Sequence, residues 1–264
     1  MYILSDKVHI QGRKKMILMP RDLEILEFLY RFKVANRDQL QREFFENTSL
    51  SAFWRRMALL HKVGLIKRAF YEENLKARRY YSLSKKAFNS VIRDNSSVIQ
   101  SKGKLKSDSL YHDLGLVNIY QMMRNYDNIK AYYSENEIEN TKIDGLSDHR
   151  LKNLRALKAD SLVVCGGKSR DFFFSLEYER TMKSFPRYLG IFRDWIMVSD
   201  ADAILLICEN KGMIEKLKKF EAKEFPSAKP RIFYQTIDHV LEKPSTLIFF
   251  CRRGNTLSFS LSSP

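Results

Sequence analysis

The sequence predicts a two-domain α+β architecture: short helices and a basic hairpin first, then an α/β mixed sheet flanked by helices. Three observations carry this. A length of 264 residues suits two domains of ordinary size, and a hydrophobic content of 44% supplies a core for each. The net charge of +15 is uneven, because residues 1–100 hold 20 Lys and Arg against 10 Asp and Glu. Helical spacing dominates the first hundred residues, and apolar strand-like runs alternating with helical ones dominate the rest.

The first helix follows Pro20, a good starting residue, with Leu23, Leu26 and Tyr30 on one face. After a break at KVA, Asn36 caps a second helix carrying Leu40 and Phe44. The third starts near Ser49. Leu50, Phe53/Trp54, Met57 and Leu60 form its core stripe, which leaves Ser51, Arg55, Arg56 and Lys62 largely outside, and Gly64 stops it. LIKRAF and RRYYSLS, joined by a polar turn at EENLKA, read as a hairpin, and a fourth helix runs from Lys85 to about Asp94.

Three helices followed by a basic hairpin make a winged helix-turn-helix, whose third helix enters the DNA major groove while the wing follows the backbone or minor groove. The exposed positions are basic: Arg55 and Arg56 on the helix, Lys67, Arg68, Lys76, Arg78 and Arg79 on the wing. Lysines and arginines that neutralise phosphates release counterions and drive association with double-stranded DNA. Most of these side chains are expected on phosphates, with Arg55 or Arg56 the candidate for a base edge. A winged helix used for protein contacts is the alternative.

The domain boundaries expected are 1–94 for this module, 95–109 for a Ser-, Lys- and Gly-rich linker, and 110–264 for the second domain. The second domain opens with a helix, LYHDLGLVNIYQMMRNY, in which the His112–Asp113 pair reads as a cap or packing pair. Strands follow at NIKAYYSENEIE, ALKADSLVVC and DFFFSLEYER. A helix from about Thr181 to Met197, the strand DAILLIC, the helix NKGMIEKLKKFEAKEF and short strands through PRIFYQTI, HVLEKPS and the C-terminal run complete an α/β sheet.

Acids interrupt this apolar pattern. Asp160 lies within one strand run, and Glu177 and Glu179 near the end of the next. Residues two apart on a strand point to one face, and neighbouring strands can bring Asp160 and Glu177 into one coordination sphere. Carboxylate oxygens, waters and a substrate phosphate are what Mg or Mn takes. Salt bridges to Arg180, Lys183 and Arg187 are the alternative use of these acids.

The pattern D-x(16)-E-x-E, with its acids on successive apolar strands, resembles the PD-(D/E)XK nuclease superfamily, whose fold is the restriction-endonuclease-like mixed sheet. The series of winged helix, YHDL helix start, acid-bearing strand and LEYERT before RYLGIFRDW is similar to the bacterial replication-relaxation family of plasmid and mobile-element proteins, over roughly residues 20–210. The resemblance implies Asp160 as the motif aspartate, Glu177 as the (D/E), and Glu135 or Glu137 as an earlier acid. Ala159 stands where the motif carries proline, and Glu179 where it carries lysine. The resemblance implies Lys183 as a lysine supplied from the following helix.

Three functions stay open at this stage. One is a DNA-binding protein of a plasmid or mobile element, working beside a relaxase, transposase or replication protein. Another is a metal-dependent endonuclease or nickase using Asp160, Glu177, Glu179 and Lys183, with Asp160, Glu177 and Glu135 as metal ligands. The third is a repressor that binds a two-fold site as a homodimer. No GxxxxGK loop is present, which argues against an ATP-driven motor. No run of 18 apolar residues suggests a membrane span, and without a signal peptide's pattern the cytoplasm is expected. Cys165, Cys208 and Cys251 lie far apart in strand-like runs and read as buried free thiols of a reducing compartment.

Overall fold

The structure, a computed structural model, describes residues 9–10, 16–73, 76–93, 103–198 and 200–261. It divides into two compact units: Met1–Val117 with Glu139–Thr141, and Asn118–Ile138 with Lys142–Pro264. The first is a helical unit carrying a small sheet, the second a mixed sheet flanked by helices, and the whole is a two-domain α+β fold. Most of the linker expected at 95–109 lies outside the described residues. The two units divide inside the helix that begins at Leu110.

In the first unit a two-residue pairing of β1 (His9–Ile10) with β2 (Met16–Ile17) precedes α1 (Pro20–Phe32). Pro20 stands in its first turn, where the missing N–H is no loss. β3 (Ala35–Asn36) leads into α2 (Arg37–Phe44), whose N-terminus is closed by reciprocal bonds between Asn36 and Gln39. Ser49 caps α3 (Leu50–Lys62), and Gly64, at φ +77°, turns the chain out of it. β4 (Ile66–Glu73) and β5 (Lys76–Leu83) then pair antiparallel, with β3 on the other side of β5. α4 (Lys85–Ala87) continues as a π-helical turn, Phe88–Ile92. Leu26, Leu29, Leu40, Phe53, Met57, Leu60, Tyr81 and Leu83 are all buried in this unit.

The helix α5 (Leu110–Met123) leads to the second unit's strand β6 (Ile129–Ser134). The sequence expects NIKAYYSENEIE to be extended throughout, but its second half is a short helix, α6 (Glu135–Asn140). The reason is a capping box: the Glu137 carboxylate accepts from the Ser134 amide and hydroxyl at 2.8 and 2.9 Å. A further helix, α7 (Asp148–Leu157), is capped by Ser147 and takes in the Ala156–Leu157 end expected to be strand.

Then follow β7 (Ser161–Gly166), β8 (Asp171–Glu179), α8 (Phe185–Arg193) with a π-helical turn (Asp194–Val198), β9 (Ala203–Cys208) and α9 (Lys211–Glu224). α8 starts four residues later than the spacing suggests, at the Ser184–Phe185–Pro186 start signal. β10 (Ile232–Thr236), α10 (Ile237–Leu241), β11 (Thr246–Cys251) and β12 (Thr256–Ser260) complete the unit. HVLEKPS, expected as strand or hairpin, begins inside α10, because Thr236 caps a helix there.

The seven strands form one sheet in the order β12-β11-β10-β9-β8-β7-β6. The three central strands β8, β9 and β10 run parallel, and the pairs outside them are antiparallel. Each parallel step is bridged by a helix, α8 or α9, as crossover connections require. Leu162, Val164, Phe173, Ile204 and Leu206 of the sheet cluster with Leu151 and Leu154 of α7, Tyr188 and Phe192 of α8, and Met213 and Leu217 of α9. All three cysteines are buried free thiols, and burial pushes those of Cys165 and Cys208 up to about 12.

Candidate functional site

The acids singled out in the sequence meet through strand register. β7 and β8 pair Ser161 with Leu176, so the next step sets Asp160 across from Glu177. The Tyr178 amide donates to Asp160 Oδ2 at 2.8 Å. On the other side β6 pairs Ser134 with Ser161, and the Glu135 amide donates to the Asp160 carbonyl at 3.1 Å. Glu135, Asp160 and Glu177 therefore stand in one row across three neighbouring chain segments. Partners directly opposite share a face of the sheet, and this is the face that carries Leu162, Phe173 and Leu206.

The electrostatics reflect that crowding. Burial pushes the Glu177 carboxyl well above the usual carboxylate range, and the charges of Asp160 and Glu135 add to the shift. Lys183 and a long contact from the Ser175 hydroxyl, 3.5 Å, act against it. Glu179 shares the face of Glu177 and is 5% exposed; Lys183 Nζ donates to its carboxylate from one turn of chain away. Burial lowers the Lys183 pKa while the charges of Asp160 and Glu177 oppose that shift, so its ammonium lies beside the row as well.

Glu137, the other early acid, is spent on the helix cap and is not in the row. Among the described residues no three His, Cys, Asp or Glu side chains converge as a ready metal cage. The donors in the row are all carboxylate oxygens, the chemistry Mg or Mn prefers, and Mg commonly takes one or two carboxylates with waters and phosphate completing the shell. Asp160 and Glu177 fit that requirement, with Glu135 next to them.

In the first unit, Ser51, Arg55, Ala58 and Lys62 form an exposed stripe along α3, at the i, i+4, i+7, i+11 spacing of one helical face. Lys67 and Arg68 on β4 are exposed too. Arg56 differs from its neighbour. It is half-buried, and its guanidinium bonds both oxygens of Asp22, a carboxylate fully buried in the first turn of α1. The sequence treats Arg55 and Arg56 as equivalent outward residues; packing turns Arg56 toward α1.

Arg79 is half-buried, with its guanidinium 4.6 Å from the Trp54 ring centre and 5.1 Å from that of Phe70. The side chains of Lys76 and Arg78 lie outside the described residues. Asp113 is buried, 3.4 Å from Lys33 Nζ and 3.3 Å from His112 Nδ1. Burial alone would raise its carboxyl, but the His112 hydrogen bond and the Lys33 charge hold it below the ordinary value. It is a packing pair.

Sequence reasoning missed Asp22, Lys33 and the ring contacts of Arg79. The signal for Asp22 was present, an acid at the third position of a helix that starts with proline, but its partner 34 residues away was not readable.

No protein-family model matches the chain, and no curated protein matches it. Among solved structures, the chain is similar to the restriction endonuclease FokI bound to DNA, with a TM-score of 0.23 and 10% identity over 85% of this chain. This chain spans about 62% of the length of that one. A TM-score so low does not establish a common fold, and the site rests on its own geometry.

Proposed function

We propose that the protein binds duplex DNA through its first unit, a winged helix-turn-helix, and breaks a phosphodiester bond at the acid row of its second, a PD-(D/E)XK nuclease-like domain. The observation that carries this is the row itself. Three carboxylates and an ammonium are gathered at one end of otherwise apolar strands, crowded enough to push the Glu177 carboxyl up.

In this reading Asp160 and Glu177, with Glu135 beside them, would hold Mg or Mn. The metal, when bound, neutralises charge at the scissile phosphate and lowers the pKa of a water. Glu179 stands where PD-(D/E)XK-like enzymes carry lysine, and it fixes Lys183 beside Asp160 and Glu177. From there the ammonium offsets the negative charge that grows on the phosphate as the water attacks. Tyr178 orients the Asp160 carboxylate through its backbone amide.

Supercoiled plasmid incubated with the protein, with and without Mg²⁺ or Mn²⁺, tests this. Metal-dependent nicking should vanish in Asp160→Ala and Glu177→Ala. Nicking that survives in both variants moves the chemistry elsewhere, and intact plasmid with a clear gel shift rejects cutting.

A second reading has its own observation. The Glu179–Lys183 pair commits the lysine to a carboxylate, which suits a nuclease-like scaffold that only binds DNA. Such a protein would serve plasmid or mobile-element replication, relaxation or mobilisation beside a relaxase, transposase or replication protein. A repressor, by contrast, would bind a two-fold site as a homodimer with no dependence on metal.

A further inference from the structure

The ring contacts of Arg79 lie at the outer edge of the core of the first unit. Phe70 and Arg79 are directly opposite in the β4–β5 ladder, so their side chains leave the hairpin on one face. Ile66, Tyr81 and Leu83 share that face nearer the base of the hairpin and are buried against the helices. One step further out the core has ended: Phe70 is 60% exposed, a large ring left in solvent. Trp54 reaches the same place from α3, on the flank of the Ser51–Arg55–Ala58–Lys62 stripe that faces the hairpin. His61, two helical turns further on that flank, lies 3.2 Å from the Ile66 carbonyl and marks it as the hairpin side.

Arg79 thus sits against two aromatic rings. Its Nε is buried without a hydrogen-bond partner, and its guanidinium interacts with the Tyr81 hydroxyl beneath it. An arginine held by ring faces keeps its charge and its planar fork of donors, while the rings remove much of its rotamer freedom before any ligand arrives. A planar, charged fork of donors held in one orientation suits a phosphate oxygen pair.

We propose that Trp54, Phe70 and Arg79 form a preset phosphate clamp in the angle between α3 and the hairpin, which grips one backbone phosphate of bound duplex DNA. Arg79 makes the contact, and Phe70 and Trp54 are positioning residues. The clamp rests on the reading of the first unit as DNA-binding. It serves affinity and register rather than sequence choice, because phosphate contacts carry no base information.

The test titrates the full chain into a fluorescein-labelled random-sequence 30-base-pair duplex, read by anisotropy across a salt series. Arg79→Ala should weaken binding about tenfold and reduce the slope of log K against log salt by about one. Phe70→Ala removes no charge, yet it should lose a similar part of that slope. Phe70→Tyr, which keeps the ring, should restore it. The Arg79→Ala/Phe70→Ala double variant should be little worse than either single one, since both remove the same contact. Phe70 is mostly in solvent, and melting curves of its variants guard against a folding effect.

If wild type binds and Arg55→Ala weakens it, while Phe70→Ala keeps the wild-type slope, the clamp is wrong and the DNA-binding reading stands. If wild type does not bind duplex at all, the reading of the first unit falls and the clamp falls with it.

Discussion

The two units treat charge in opposite ways. In the first, Arg55, Lys62, Lys67 and Arg68 stand in solvent, and among the described residues no ion pair involves them. In the second, Glu135, Asp160, Glu177 and Glu179 are drawn into half-buried or buried positions beside one another, with Lys183 next to them. Exposed, unpaired cations have a low cost and suit contact with a long polyanion. Clustered, desolvated carboxylates carry an electrostatic cost that the fold sustains, which is the mark of a site rather than of a surface.

The largest effect that would break this contrast is on cleavage. Asp160→Ala should lower metal-dependent nicking by about a hundredfold or more, the scale for losing an essential metal-site group, while leaving the gel shift intact. Equal loss of binding and nicking would mean that the acids are structural.

Next comes Arg56→Ala, which leaves the buried Asp22 carboxylate with the Met19 amide but no countercharge. It should destabilise the first unit by about 3 kcal/mol, seen as a lower urea midpoint, because an unpaired buried charge costs about 3–5 kcal/mol.

Arg55→Ala sharpens the comparison from the neighbouring position. Its melting curve should match wild type, while affinity for duplex falls about tenfold and the salt slope by about one. If Arg55 and Arg56 behaved alike, the division between a contact arginine and a packing arginine would be lost.

The smallest effect is on pH dependence. The Glu177 carboxyl is raised in the folded state, so the native protein holds a proton that the unfolded chain has already released. Stability on this account is full below the unfolded carboxyl value and declines as pH rises toward the folded one. Glu177→Gln should therefore melt a few degrees higher than wild type at neutral pH, with the difference shrinking as pH falls to 4. A constant difference across pH would mean that Glu177 is not the strained acid.

The sequence announced what local physics decides. Pro20, Asn36, Ser49 and Gly64 bracket the first three helices where expected, since caps and stops act within a few residues. The strand at Asp171–Glu179 was legible in its apolar run with two acids at its end. Local signals misled where two of them competed. Tyr132–Glu139 carries strand-forming residues, but Ser134 and Glu137 together close a helix, and the cap won.

In the site, Asp160 and Glu177 were readable as a pair on neighbouring strands. The position of Glu135 depends on the register of β6 against β7, which no local pattern sets. The inward turn of Arg56 and the ring contacts of Arg79 are products of packing between segments far apart in the chain. They had no local signature to read.

The place of β8 in its sheet has a last consequence. It pairs antiparallel with β7 as far as Leu176 and parallel with β9 as far as Glu179. Glu177 and Glu179 are laddered on the β9 side, and the Tyr178 amide between them is held on the other by the Asp160 carboxylate. Lys183 follows β8 on a short connection before α8 and depends on Glu179 to hold its place. The negative side of this cluster is thus set when the sheet forms, and the positive side is held through one side-chain pair. Moving Lys183 would leave the buried Glu179 carboxylate unpaired, so the two sides can change only together.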